Sequence, residues 1–339
     1  SKACLSEITS LSHLTTLCIQ VSNPESVPRK LHIPNVQKFE IVIGKGYDSV
    51  TCYPNSRSLS LREIKTSIPE GVKDILQNTE DLRLFCLYDE MIRNILDVDL
   101  RTLNNLRYLK VVACMETSFL LSMNQSASDA PAILAALESL HLQLMNELFV
   151  ICPKLLPVGS LHKLKFLKIL NCKRMWIAIT ATLLQRLLSL EEVEVTWCEQ
   201  MSSIFDLGNI SSENQQFLLS NLRIIRLRGL ESLRTIWKGG VKPLPPSVRL
   251  AKLTVVELSS CRSLKVIFPY SIAQNLPQLE VLKINWCNKL ESIVEKRPDV
   301  SVDQYQHNCF PNLRIIEVSE CSRLRKLFSV AEARYLQQL

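Results

Sequence analysis

Residues 279–293 read LEVLKINWCNKLESI, and the same pattern returns twice in the neighbouring sequence. It appears as LTVVELSSCRSLKVI at residues 253–267 and as LRIIEVSECSRLRKL at residues 313–327. The three copies share the template L-x-x-L-x-L-x-x-C-x-x-L-x-x-I. A pattern that recurs at a period of a few tens of residues predicts a stack of similar structural units.

Weaker copies of this template extend back almost to the start of the chain. The first aligned positions of the units fall at residues 14, 36, 56, 79, 106, 137, 164, 190, 222, 253, 279 and 313. Most of these spacings are close to the 20 to 29 residues of leucine-rich repeats, in which each unit adds one short strand to a shared core. The sequence therefore predicts an α/β solenoid, a leucine-rich repeat horseshoe. It should have about twelve short parallel strands on its concave face and short helices or loops on its convex face.

The L-x-L core of each copy predicts which side chains face the solvent. In the copy that starts at residue 279, Leu282 and Ile284 should point into the core, while Val281, Lys283 and Asn285 alternate to the concave side. On the convex side, apolar residues at three- to four-residue spacing predict short helices or helical turns at Ile177–Leu188, Pro269–Asn275 and Ser329–Tyr335. Polar stretches bearing Pro or Ser predict loops at Ser122–Pro131, Asp206–Gln216, Lys238–Arg249 and Glu295–Asn308.

The two ends of the chain differ in regularity. Residues 1–100 hold shorter and less regular repeats, and residues 101–339 hold the regular ones. The last residue falls where a thirteenth unit would begin, so the chain stops within a repeat. Because solenoid ends normally need polar caps, we expect this sequence to be a piece of a longer protein.

The composition is that of a folded protein with a large core. The chain has 339 residues, of which 47% are hydrophobic and 22% are charged, and its formal net charge is +7. It contains no apolar run of about 18 residues and no block of five or six like charges. These features argue against a membrane span and against dedicated binding of nucleic acid or lipid.

Six of the twelve cysteines occupy one repeat position, directly after the strand: Cys114, Cys172, Cys198, Cys261, Cys287 and Cys321. This position needs a small, buried side chain that offers a weak hydrogen bond to nearby backbone. No C-x-x-C pair is present, which removes the strongest zinc spacing. We therefore expect structural, reduced thiols, as in the cytosol or nucleus, although spacing alone leaves some disulfide pairing open.

Catalytic motifs are missing from the sequence. The five histidines do not stand beside a Cys, Ser or carboxylate in a recognisable nucleophile or metal arrangement, and no phosphate-binding glycine motif occurs. The sequence therefore predicts a protein that is not an enzyme.

One column of the concave face is charged. Stacking of the repeats should align Lys110, His141, Lys168, Glu194, Arg226, Glu257, Lys283 and Glu317. From Lys168 onward the signs alternate, so neighbours about 4.8 Å apart should pair laterally. This column is interpreted either as a solvated ladder of salt bridges or as a polar recognition strip.

The preceding column is unusually apolar for solvent-facing positions, and it suggests a contact surface. Two tryptophans, Trp197 and Trp286, lie at the strand exits, where they either bind a partner or pack between repeats. Trp237, in contrast, follows Ile236 at the outer turn and should belong to the core. The candidate partner-binding residues on the concave face are Phe166, Lys168, Glu194, Trp197, Ile224, Arg226, Val255, Glu257, Val281, Lys283, Trp286, Ile315 and Glu317.

The ending C-x-x-L-x-x-I-[FWV], joined to L-x-x-L-x-[LIV]-x-x-C, resembles a known family. It is similar to the leucine-rich repeat region of plant intracellular nucleotide-binding immune receptors of the coiled-coil class, that is, disease resistance proteins. Supporting segments are residues 76–84, 103–111, 198–205 and 276–279.

The resemblance implies a C-terminal sensor that recognises a pathogen effector or a guarded host protein and restrains an upstream nucleotide-binding domain. It implies no cofactor in this chain, with ADP or ATP bound only by that upstream domain, and a cytoplasmic or nuclear location. Neither nucleic acid nor a membrane is an expected partner. Two alternatives stay open: a leucine-rich repeat substrate receptor of a ubiquitin ligase, and a constitutive protein-interaction scaffold.

Overall fold

The repeats of the sequence correspond to the strands of one long parallel sheet. The structure is a computed structural model, and it describes residues 5–29, 31, 33, 36–45, 56–64, 68–96, 103–114, 116–121, 131–208, 210, 217–239, 247–295, 309–325 and 327. Within these residues, twelve strands pair in chain order. They are β1 (Thr16–Val21), β2 (Lys38–Gly44), β3 (Arg57–Arg62), β4 (Asp81–Phe85), β5 (Tyr108–Val112), β6 (Ser139–Gln143), β7 (Phe166–Leu170), β9 (Glu192–Thr196), β11 (Ile224–Arg228), β13 (Val255–Ser259), β15 (Val281–Asn285) and β17 (Ile315–Ser319).

The side chains of these strands alternate between core and solvent, as the L-x-L pattern predicts. In β15 the side chains of Leu282 and Ile284 are fully buried, while Val281, Lys283 and Asn285 are partly exposed. The register joins equivalent repeat positions, so that Val281 lies opposite Ile315 and Lys283 opposite Glu317. The leucine-rich repeat solenoid and its concave sheet are therefore confirmed.

The convex side contains short strands as well as helices, which corrects the prediction of helices and loops alone. The additional strands are β8 (Ile177–Ile179), β10 (Ser203–Asp206), β12 (Thr235–Lys238), β14 (Val266–Phe268) and β16 (Ser292–Val294), arranged in the orders β12-β10-β8 and β14-β16. The predicted helix over Ile177–Leu188 is wrong at its start, where β8 pairs with β10. Periodicity could not show this, because all three side chains of β8 are buried and the pairing depends on the next repeat.

Four α-helices complete the described secondary structure, together with 3₁₀-helices at Leu5–Ser10 and Pro24–Ser26. The longer two, α1 (Glu70–Leu76) and α2 (Asp89–Leu96), lie in the first hundred residues. In the later repeats, α3 (Ala181–Leu184) and α4 (Tyr270–Ala273) each form about one turn. The helix predicted over Pro269–Asn275 is thus confirmed.

Parts of the convex side lie outside the described residues. The helix predicted at 329–335 is among them, as are most of the loops predicted at 122–131, 206–216, 238–249 and 295–308. The division into irregular and regular repeats near residue 100 stays a prediction. The helices that the structure describes are all too short or too polar to cross a membrane.

A left-handed residue follows each strand of the twelve-stranded concave sheet from β3 to β17. Its φ lies between 46° and 64° in every case. From β3 to β15 the N–H of this residue donates to the carbonyl of the last residue of the next strand, at 2.8–3.0 Å. Bulky residues disfavour this conformation by roughly 1–2 kcal/mol, so the extra rung of hydrogen bonds offsets a local cost. The residues at this position are Glu63, Cys86, Ala113, Leu144, Asn171, Trp197, Gly229, Ser260, Trp286 and Glu320.

The cysteine position comes next in each repeat and fits the structural role predicted for it. In all six ladder cysteines, Sγ lies 3.3–3.8 Å from the carbonyl oxygen of the residue two positions earlier. The ten cysteines that the structure describes carry free thiols. Burial raises the pKa of Cys114 to about 12, so this thiol stays protonated at neutral pH.

Candidate protein-interaction surface

The concave face carries an apolar strip, defined here as Ile224, Val255, Val281 and Ile315. These are the first residues of β11, β13, β15 and β17, and the strand register places each one opposite the next. The first three side chains are partly exposed, and that of Ile315, on the last described strand, is 46% exposed. With strands about 4.8 Å apart, the strip spans roughly 14 Å.

Phe166 begins β7 at the same repeat position and is 41% exposed. It does not join the apolar strip, because Glu192 of β9 lies between Phe166 and Ile224 in the register. The carboxylate of Glu192 instead forms an ion pair with Arg226. The predicted apolar column is therefore continuous only from β11 onward.

The charged column beside the strip is largely paired. Lys168 lies 2.8 Å from Glu194, and Lys283 lies 3.0 Å from Glu317. Arg226 contacts Glu257 at 3.2 Å in addition to its ion pair with Glu192. The structure thus supports the interpretation as a salt-bridge ladder, in which each exposed pair contributes about 0–1 kcal/mol.

The two exposed tryptophans occupy the left-handed position at the strand exit. The side chains of Trp197 and Trp286 are 57% and 54% exposed. The Trp197 ring packs over the next repeat, since a Cβ atom at Gly229 would lie 2.3 Å from its Cε3. Packing between repeats and exposure therefore coexist in Trp197. Trp237 is buried and stacks on Phe205 with ring centres 4.9 Å apart, so its assignment to the core is confirmed.

Comparison with known proteins agrees with this architecture. Residues 136–288 match the family model described as "Plant disease resistance protein RPS2-like, leucine-rich repeats". The chain is also 26% identical over 249 residues to Disease resistance protein At4g27190 of Arabidopsis thaliana. The chain is thus similar to the leucine-rich repeat region of plant disease resistance proteins. The alignment covers 70% of this region but only 25% of the Arabidopsis protein, so the chain spans about a quarter of that relative's length.

The family match covers most of the candidate surface of this leucine-rich repeat region. It runs from just before β6 to just after β15, and it includes every candidate residue from Phe166 to Trp286. Ile315 and Glu317 lie beyond it. The match identifies the repeats as an interaction module, whereas the binding roles of the individual residues stay predictions.

A second column of alternating charge was not predicted from the sequence. It lies one position before the apolar column, where each N–H donates to the carbonyl of the equivalent residue in the preceding repeat. Ion pairs join Arg57 to Glu80 at 3.0 Å and Lys165 to Glu138 at 3.1 Å. The sequence contains this pattern one residue after the first aligned position of each unit from residue 56 onward. Thr254 is the one uncharged member of the column, which consists of Arg57, Glu80, Arg107, Glu138, Lys165, Glu191, Arg223, Thr254, Glu280 and Arg314.

The electrostatics of this second column are visible at Glu80. Burial alone would raise the pKa of this carboxyl, but hydrogen bonds from Arg57 and the charges of Arg57 and Arg107 outweigh burial and lower the pKa. The two charged columns therefore border the apolar column on both sides.

In the described ranges, His, Cys, Asp and Glu side chains nowhere form a group of three that could hold a metal ion.

Proposed function

We propose that this chain is the recognition region of an intracellular plant immune receptor. In this proposal it recognises a pathogen effector or a guarded host protein, and it restrains a nucleotide-binding domain located upstream. The family match supports an interaction module of the disease-resistance type. The similarity to a much longer disease resistance protein supports a role as one region of a larger receptor.

The apolar strip is the observation that carries this proposal. Four neighbouring β-branched side chains face the solvent, although each of these strand positions could hold a polar residue without any cost to the core. Contiguous exposed apolar area of this kind marks protein contacts. Trp286, at the exit of β15, adds an aromatic side chain of the type that dominates interface energetics.

The charged columns complete the proposed interface. Paired side chains such as Lys283 and Glu317 form a polar rim around the apolar strip. A rim of this kind fixes the orientation and specificity of a partner more than it adds affinity.

The arrangement requires no catalytic group and no cofactor in this chain, and we assign ADP or ATP only to the upstream domain. We place the receptor in the cytoplasm or the nucleus.

The proposal is tested by binding to the upstream nucleotide-binding domain. That domain and the 339-residue chain are expressed separately, and their association is measured by pull-down and by calorimetry. The variant Ile224→Asp/Val281→Asp/Ile315→Asp should weaken association at least about tenfold, because three carboxylates must then be desolvated at the interface. Its melting temperature should change little, since all three side chains already face the solvent.

Two further variants make this test specific. Replacing the same three residues by Thr keeps the β-branched shape and should weaken association less than Asp does. Replacing Val158, which is 80% exposed and lies outside the sheet, by Asp controls for added negative charge and should leave association unchanged. Full association of a well-folded Asp variant would exclude the apolar strip as the contact. Failure of the unmodified chain to associate would favour a free-standing adaptor.

A further inference from the structure

The charged column of the concave face changes character towards its N-terminal end. Its positions on β4, β5, β6 and β7 are Arg83, Lys110, His141 and Lys168, here called the basic strip. The register places each of these residues directly opposite the next. No acidic residue separates them, whereas from β7 to β17 the same column alternates in sign.

Among the described residues, counter-ions are found at the two ends of the basic strip and not in its centre. Arg83 forms a two-point contact with Asp81, at 2.7 and 3.1 Å, and Lys168 is paired with Glu194. Lys110, in the centre, forms no ion pair with any residue that the structure describes. Its ammonium lies 5.9 Å from the centre of the Phe85 ring.

His141, the other central residue, is held between two cations. Its Nδ1 lies 2.9 Å from the hydroxyl of Tyr108, and the two rings meet edge to face with centres 5.0 Å apart. Burial, with the charges of Lys168 and Lys110, lowers the pKa of His141. Nearby Glu194 opposes this shift only in part. The centre of the strip therefore presents one unpaired ammonium and a polar aromatic pair.

This arrangement is unfavourable for the isolated chain. Like charges directly opposite one another in a sheet repel, and each alternating pair on the later strands avoids that cost. An unpaired cation flanked by aromatic side chains is, however, well suited to carboxylates, which it attracts. The repulsion within the strip is relieved when an anion binds there.

We propose that the basic strip binds an acidic peptide segment of a partner protein. A short acidic segment fits better than nucleic acid for two reasons. The strip is only about 14 Å long, enough for two or three carboxylates. The bordering column alternates in sign, with Glu80 and Glu138 already paired, so it offers no continuous positive track for a longer phosphate backbone. This surface lies on β4–β7, apart from the apolar strip on β11–β17, so it goes beyond the function proposed above.

The test uses a fluorescein-labelled octaglutamate peptide and the 339-residue chain, with binding followed by fluorescence anisotropy at low salt. Lys110→Glu removes the unpaired cation and adds an anion, and it should reduce the affinity at least about tenfold. Lys283→Glu is the matched control, because it makes the same substitution at the same repeat position within the alternating part of the column. It should leave octaglutamate binding within about twofold of the unmodified chain.

Three results would overturn the assignment. They are no binding of octaglutamate by the unmodified chain, equal binding by the Lys110→Glu variant, and an equal loss in the Lys283→Glu variant. An unlabelled ten-nucleotide oligothymidylate serves as competitor. If it displaces the peptide at a lower concentration than octaglutamate itself does, the strip would be reassigned to nucleic acid. Thermal denaturation of each variant shows that the chain is folded, and success or failure here is independent of the apolar-strip experiment.

Discussion

From β7 to β17 the charged column of the concave face alternates in sign. From β4 to β7 the same column contains Arg, Lys and His side chains but no carboxylate. Both parts lie on the same sheet, at the same repeat position and with the same strand spacing. In the alternating part, neighbours such as Lys283 and Glu317 neutralise one another. In the basic strip, Lys110 has no such neighbour among the described residues.

This difference suggests that the two parts of the column serve different purposes, the alternating part stability and the basic strip binding. Backbone geometry imposes no sign on a solvent-facing side chain, so the alternating part shows that lateral pairing is available to every repeat. A group of strands without lateral charge pairing either tolerates a small loss of stability or needs its positive charge to bind a ligand. Substitutions that exchange the two patterns distinguish these explanations.

The largest effect on stability is expected at Arg226, which joins the carboxylates of Glu192 and Glu257 across three strands. Arg226→Glu removes both ion pairs and creates a cluster of like charge that also includes Glu194. We expect the free energy of unfolding to fall by about 2 kcal/mol, because two partly exposed pairs are lost and repulsion is added. Urea denaturation of the 339-residue chain measures this change.

The matched control for that substitution is Arg228→Glu on the same strand. Arg228 is exposed and forms no ion pair with the residues that the structure describes. It should therefore change the free energy of unfolding by no more than about 0.5 kcal/mol. Equal losses at Arg226 and Arg228 would show that the ion pairs of Arg226 add no stability beyond that of an unpaired surface arginine.

A smaller effect, of opposite sign in the two parts of the column, is expected for Lys→Glu. Lys110→Glu places an anion beside Arg83 and His141 and should raise the free energy of unfolding by about 0.5 kcal/mol. Lys283→Glu places it between Glu257 and Glu317 and should lower that free energy by about 1 kcal/mol. Both are measured by urea denaturation at low salt, and the difference between them should shrink in 1 M NaCl, where the Debye length is about 3 Å. Destabilisation by both substitutions would remove the distinction between the two parts.

Much of this architecture follows from the repeat template alone. The template sets the strand positions, the inward side chains such as Leu282 and Ile284, and the shared cysteine position, because one pattern repeated twelve times leaves little freedom in register. The family resemblance uses the same residues. The charged column could be aligned from Lys110 onward before any pairing was known.

The remaining features depend on contacts between repeats. The convex strands have only three or four residues, and β8, β10 and β14 bury most of theirs, so their periodicity does not distinguish them from helical turns or loops. Arg83 lies in a degenerate copy of the template, and only the pairing of β4 with β5 places it beside Lys110. The unpaired state of Lys110 likewise depends on which neighbour each carboxylate contacts.

The smallest effect, and the one most specific to the basic strip, is the response of His141 to pH. The pKa of His141 is lowered in the folded chain by burial and by Lys168 and Lys110, so the unfolded chain binds a proton that the folded chain resists. The hydroxyl of Tyr108 and the negative charge of Glu194 also act on this imidazole. Stability from this residue is therefore present above the ordinary histidine pKa of about 6.5 and is lost as the pH falls below it.

The corresponding measurement compares melting temperatures at pH 7.5 and pH 5.5 for the unmodified chain and for His141→Gln. The unmodified chain should lose more stability on acidification than the variant does, because Gln carries no titrating group at this position. Saturating octaglutamate should reduce that extra loss, since a carboxylate bound to the strip favours the protonated imidazole and raises its pKa. An identical pH response in the variant would mean that His141 titrates freely and that the cations beside it exert no measurable repulsion in the folded chain.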